Sequence, residues 1–551
     1  MSSSIDRLKR FVEEFLRTRA SQEGFRIDAH SFIMYGPRRA LLQYLLTGHL
    51  RNIHYMSKED IATLGFLVSA VCLEVDPEFQ LLATKYARYL AVKKDPPLIS
   101  LITRVAYGYA DDDTVKLLAT FPPKLLVERF YNTFRSGLMP IQPRISKRFV
   151  RKILAKVVEE WEREGKLRYF AVKYPRRMAT LVKLVMDYTH VDDEVMSFLL
   201  FKGAKVTDPL LRARLEYKRA IRNKEKDRAY ELIVQYKLPF SLARQIPYSL
   251  YDARILDVLS PYDVAMFCDA FYRAIKEGKV RFTVEDLVRA IERKGEKLTQ
   301  WYIARTFFVL ASRYGRDDPI VRAWARVWMK KLHTMIDQLA SLGLGLEQSR
   351  ILLVLDGSGS MHPHELNPAT NILLQGLLCW VPFFPLVNNI VMFSDDAFYL
   401  EPEYVHDLDR LIDLLYKAPN SGTCIECGLR LALEEVKRGE YTHVVLITDE
   451  QANVIYRAEH AENDIAREIA KHAKLIVHNP QPYPTHVITP SKAENIYAVY
   501  GKQAEDILAS MILEKISNLD EEAVIDLVKK ALTRTITVTT GGEESESTSS
   551  E

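Results

Sequence analysis

The sequence predicts a two-part molecule, an all-α stack of helical repeats followed by a doubly wound α/β domain. Two observations carry this. Up to about residue 340, apolar residues recur at spacings of three and four, interrupted by short proline-containing breaks. After Leu342-Gly343-Leu344-Gly345, short continuous apolar runs alternate with helical stretches, the pattern of strands buried on both faces of a parallel sheet.

In the first part, Leu81–Val92 and Phe149–Trp161 show the helical spacing most clearly. Breaks are expected at Asp95–Pro97, Phe121–Pro123, Tyr174-Pro175, Asp208-Pro209 and Ser260-Pro261, because the residue before a proline leaves the helical region of backbone space. Helices of this length with short breaks suggest stacked pairs of the HEAT type, although no repeat consensus is visible. In the second part the expected strands are Arg350–Leu355, Ile390–Phe393, His443–Ile447, Lys474–Val477 and Asn495–Val499. Helices are expected at Asn371–Trp380, Cys424–Arg438 and Ala458–Ala470. The organisation read from this is a helical domain over 1–345, an α/β domain over 346–535 and a disordered acidic tail over 536–551.

Composition excludes several classes. No run of eighteen apolar residues occurs, so neither a membrane-spanning helix nor membrane association is expected. The five cysteines are scattered, which argues against a disulfide framework and for a cytoplasmic protein. No G-x-S-x-G elbow, P-loop or H-E-x-x-H appears, so no enzyme is expected. The net charge of +4 is small, but its distribution is uneven. Ile141–Arg177 holds twelve Lys/Arg against four Asp/Glu, and Leu211–Arg228 eight against three. Such local excess points to a polyanionic partner.

The first expected strand runs into Asp356-Gly357-Ser358-Gly359-Ser360. One carboxylate and two hydroxyls at alternate positions of a strand-end loop suit a hard cation such as Mg2+, or Mn2+ in its place. Thr423, opening a helix, and Asp449, ending the strand His443–Ile447, add two more oxygens. Asp356, Ser358, Ser360, Thr423 and Asp449 together resemble the metal ion-dependent adhesion site of von Willebrand factor A domains. Asp395 and Asp396 read as surface acids in a turn. Cys424-x-x-Cys427 reads as a pair of inert thiols, since no second Cys or His pair completes a zinc site.

A long helical region followed by this domain resembles the Ro autoantigen family, which pairs a TROVE helical-repeat domain with a von Willebrand A domain. Phe149–Tyr174, Asp227–Leu238, Arg281–Gly295 and Ser421–Leu429 carry the resemblance, which extends from about Phe66 to Gly501. It implies a monomeric toroid of helical repeats. Such a ring binds small structured non-coding RNAs of the Y type and the 3′ ends of misfolded RNAs, as a ribonucleoprotein component in RNA quality control. The residues expected to meet RNA are Arg144, Lys147, Arg148, Arg151, Lys152, Lys156, Lys173, Tyr174, Arg176 and Arg177, with Arg212, Arg214, Lys218, Arg219 and Arg222 as a second stripe. Each basic run is also readable as a solvated helix face. The alternative function is a metal-dependent adaptor that grips an acidic group of a protein partner, such as a nuclease or an ATPase, through the metal site. Glu450 beside Asp449 departs from the family pattern and adds a carboxylate there.

Overall fold

The computed structural model describes residues 36–47, 58–89, 95–136, 145–201, 206–298, 300–341, 348–361, 371–400, 410, 422–450, 461–480, 487–488, 495–500 and 525–526. Arg144, Ser421 and the acidic tail lie outside these residues. An all-helical region precedes a six-stranded mixed sheet flanked by helices. By packing, the described residues fall into two compact units, 36–47 with 58–297, and 298–526.

In the first unit the prolines act as helix starters. Pro175, Pro209 and Pro261 are the first residues of the helices Pro175–Val185, Pro209–Arg222 and Pro261–Lys276, and Pro123 begins another short helix. A proline at the first helical position loses nothing, because its missing N–H would have no partner within the helix. Neighbouring side chains complete these ends. Asp208 accepts from Leu211 N at 2.9 Å, and Ser260 and Asp263 form a reciprocal capping box. The helix Lys147–Arg163 buries Val150, Ile153, Leu154, Val157, Val158 and Trp161, whose indole N–H donates to Ala119 O at 2.7 Å. Further along, Tyr230, Phe240, Tyr251 and Phe271 form a buried aromatic cluster with ring centroids 5.9–6.5 Å apart.

In the second unit the strands are β1 (Ile351–Asp356), β2 (Val387–Phe393), β3 (Ala397–Tyr399), β4 (His443–Ile447), β5 (Lys474–Asn479) and β6 (Ile496–Tyr500). Their order is β3-β2-β1-β4-β5-β6, parallel throughout except for β3. One face buries Leu352, Val354, Val444 and Leu446 under the helices Ile425–Arg438 and Ala461–Ala470. The helix Ile372–Trp380 covers the other face. A Cβ on its Gly376 would lie 2.4 Å from Ile447 Cγ2, so only glycine admits this approach. The helices Gln300–Tyr314 and Pro319–Ser341 belong to this unit, and both pack beside the segment 372–386. Strand order reverses beside β1, which lies between β2 and β4. In doubly wound sheets the ligand crevice opens at that point, beyond the carboxyl ends of the strands.

Candidate metal centre and basic surface

β1 is buried at all six positions and delivers Asp356 to the switch point with no solvent exposure. Both carboxylate oxygens are oriented. Oδ1 accepts from Ser358 N at 3.0 Å, and Oδ2 from Thr448 Oγ1 at 2.6 Å. Ser358 and Ser360 follow with their hydroxyls 3.3 Å apart. The loop is drawn against β2 because Gly357 N donates to Phe393 O at 2.7 Å, and a Cβ at Gly357 would meet that same oxygen at 3.3 Å. Gly357 therefore serves close approach and has no left-handed backbone.

Thr423 enters from the start of the helix Ile425–Arg438. The chain on either side of it is tied to the end of β2, with Gly422 N donating to Asp395 Oδ1 at 2.9 Å and Cys424 N to Ser394 O at 2.6 Å. Thr423 is 2% exposed, and its hydroxyl has no hydrogen-bond partner among the described residues. Asp449 follows β4 and is buried, its carbonyl accepting from Asn479 Nδ2 at 3.2 Å. Its charge reaches Asp356. Burial first, and then the Asp449 carboxylate, push the Asp356 carboxyl up to about 6 against the pull of Ser358 and Thr448.

Two buried carboxylates in mutual repulsion and a buried hydroxyl without a partner are an oxygen set that a hard dication would satisfy. Among the described residues no group of three or more His, Cys, Asp or Glu side chains converges, so the set depends on its hydroxyls. Glu450, in a left-handed backbone conformation with φ 57°, is also buried, and its Oε2 accepts from Val487 N at 3.1 Å.

Thr448 and Asp395 are positioning residues that the sequence reading missed. Asp395 is exposed, as expected of a turn acid, but it anchors the Thr423 loop. The reading of Cys424 and Cys427 as inert thiols is corrected, since the two form a disulfide at the head of the helix. Three residues of separation bring their Cα atoms to 5.3 Å in the first helical turn, within bonding reach.

The basic residues gather on the first unit. Lys147, Arg148, Lys152 and Lys156 are exposed on the helix Lys147–Arg163, opposite its buried apolar stripe. Arg148, Lys152 and Lys156 have no acidic partner among the described residues. Arg151 is half-buried and directed at the hydroxyls of Tyr131 and Tyr188. Lys173 donates to Tyr169 OH at 3.0 Å and lies 5.6 Å from the Tyr174 ring centroid. Arg176 and Arg177 are exposed, Arg177 paired with Glu128. In the helix Pro209–Arg222, Arg212 pairs with Glu216 at 3.5 Å, Arg214 lies half-buried over Tyr217, and Lys218, Arg219 and Arg222 are exposed. The helix Lys166–Lys173 packs against both Lys147–Arg163 and Pro209–Arg222, so the two basic segments belong to one packed group.

The fold joins an all-helical region to a six-stranded, mostly parallel sheet flanked by helices. No protein-family model matches the chain, and no curated protein matches it by sequence. Among solved structures, the chain is similar to the crystal structure of the Ro (Rsr) protein of Deinococcus radiodurans. The TM-score is 0.55 at 17% identity, over 88% of this chain and 99% of that one. At that identity the likeness establishes the shared fold.

Proposed function

We propose that this protein is a non-catalytic, ring-shaped RNA-binding protein that holds small structured non-coding RNAs and receives the 3′ ends of misfolded RNAs. The observation that carries the reading is the packed basic group on the helical unit, in which Arg148, Lys152 and Lys156 are exposed and have no acidic partner among the described residues. A spacing of four residues sets these three along one side of their helix, where they follow a phosphate track. Tyr169, 40% exposed beside Lys173, offers a ring to an unpaired base, whereas Phe170 packs on Trp161 at 4.8 Å. The Ro-like fold supports the same reading through the resemblance already noted. A cytoplasmic, monomeric protein suits this role, and no described helix is long and apolar enough to cross a membrane.

In this reading Asp356, Ser358, Ser360, Thr423 and Asp449 hold Mg2+ or Mn2+, directly or through waters. The cation supplies a Lewis-acidic position that an acidic group of a protein partner, such as a nuclease, completes. The test is a gel shift with a structured RNA bearing a single-stranded 3′ end, run at several salt concentrations beside a K147A/R148A/K152A/K156A variant. Salt-sensitive binding weakened at least tenfold in the variant is expected. No binding by the intact protein at low salt would sink the RNA reading. The metal-dependent adaptor would then take its place, favoured by the buried Thr423 hydroxyl.

A further inference from the structure

The Cys424–Cys427 disulfide adjoins Thr423 and closes a loop of only four residues. As a structural staple it adds little, because a cross-link restrains the unfolded chain least when its loop is short. The native turn is also held without it. Cys427 N donates to Cys424 O at 3.1 Å, and Cys424 caps the helix Ile425–Arg438. Both cysteines are half-buried, whereas Cys72, Cys268 and Cys379 are buried and outside any disulfide. A pair that is reachable, adjacent in a preformed turn and dispensable for the fold is suited to opening and closing in the native state.

Its position gives it something to control. Among the described residues the Thr423 hydroxyl has no hydrogen-bond partner, and the contacts that place it are those of the residues that flank it. On one side Gly422 is fastened to Asp395. On the other, Cys424 is fastened to Ser394 O and, through the disulfide, to Cys427, whose sulfur lies 3.7 Å from Asp395 O. Opening the disulfide would remove one of these restraints next to Thr423, while the Cys427 N to Cys424 O hydrogen bond would still hold the first helical turn.

We propose that Cys424 and Cys427 form a reversible redox pair, exchanged by dithiol reductants, whose disulfide holds Thr423 for the cation; this coupling rests on the metal reading above. A thiolate of the dithiol attacks one sulfur, the Cys424–Cys427 bond breaks and a mixed disulfide forms. The second thiol of the reductant then releases the pair. Two electrons and two protons pass to Cys424 and Cys427, and the reductant leaves as its own disulfide.

The test equilibrates the full-length protein in graded mixtures of reduced and oxidised dithiothreitol, with circular dichroism recorded throughout, followed by acid quench and maleimide labelling. Two labels, both on the 424–427 peptide, appearing and disappearing reversibly while the spectrum stays native, are expected. Labelling that begins only on unfolding, or that does not reverse, overturns the redox pair. Saturating Mn2+ is expected to move the midpoint about 30 mV more negative, the equivalent of about tenfold tighter binding by the oxidised form. Electron paramagnetic resonance of Mn2+, after removal of the reagent, checks that ratio, and a C424S/C427S variant should bind like the reduced protein. Equal Mn2+ affinity in both states overturns the coupling. Mn2+ bound by neither state overturns the metal reading and the coupling with it, while the label count still decides the redox pair.

Discussion

Thr448 and Asp356, 92 residues apart in the chain, are joined by a 2.6 Å hydrogen bond between two buried side chains. β1 and β4 are parallel neighbours, with Leu355 in register with Ile447, so the residues that follow come out side by side. The Thr448 hydroxyl also accepts from Glu450 N at 3.0 Å, which turns the chain sharply around Asp449.

Replacing that hydroxyl leaves one oxygen of a buried carboxylate without its donor. Thr448→Val should cost about 1.5–3 kcal/mol, the range for a hydrogen bond to a charged group, and Thr448→Ser should recover most of it. Urea unfolding of the two variants beside the parent measures this. Equal stability of Val and Ser would mean that the hydroxyl is immaterial.

Metal addition should stabilise the sheet unit by mass action. At a hundredfold excess over Kd, Mg2+ should contribute about 2.7 kcal/mol, seen as a raised Tm. Asp449→Ala should abolish the shift. A Tm rise that persists in this variant would place the cation elsewhere.

RNA affinity should fall with salt in proportion to the phosphates engaged. Each contacting cation removed should lower the slope of log K against log salt by about 0.9 on a duplex. Arg148→Ala/Lys152→Ala/Lys156→Ala should flatten the slope by about 2–3, and Arg212→Ala by less, because Glu216 already pairs with Arg212. A filter-binding series across salt distinguishes the two.

Asp111 caps the helix Asp112–Ala119 and binds Arg104 at 2.9 Å. Burial raises its pKa, but the Thr114 N–H and hydroxyl with Arg104 outweigh this and hold the carboxyl below the usual Asp range. A depressed folded-state pKa means stability that is fully present above the unfolded value and lost as pH falls through the folded one. Asp111→Asn, which keeps a capping oxygen, should cost about 1 kcal/mol at pH 6, discounted for a half-exposed carboxylate. The gap should close below about pH 4. A gap that is constant between pH 6 and 3 would remove the charge from the explanation.

Gly428 faces Phe393, where an added Cβ would lie 2.5 Å from the ring. Gly428→Ala should therefore cost about 1–3 kcal/mol by overpacking. Phe393→Leu in the same chain should offset part of it, giving a coupling measurable in a double-mutant cycle.

Local periodicity and backbone stereochemistry determined much of this protein by themselves. Each Pro break became a helix start, because proline suits the first turn and no later one. Asp356 and Asp449 lie where their apolar runs end, because a strand buried on both faces leaves only its tip for polar groups. Short or isolated features escaped. β3 has three residues in an antiparallel edge pairing, too few to show a period. The Cys424–Cys427 bond was hidden because three residues of separation fit a helix, a metal loop and a disulfide equally well. Only the tertiary structure decided that Thr448 orients Asp356, that Asp395 anchors the Thr423 loop, and that the basic helices Lys147–Arg163 and Pro209–Arg222 share a packed neighbour. These are contacts between residues tens of positions apart, set by strand order and helix packing, and a periodicity read one element at a time contains no information about them.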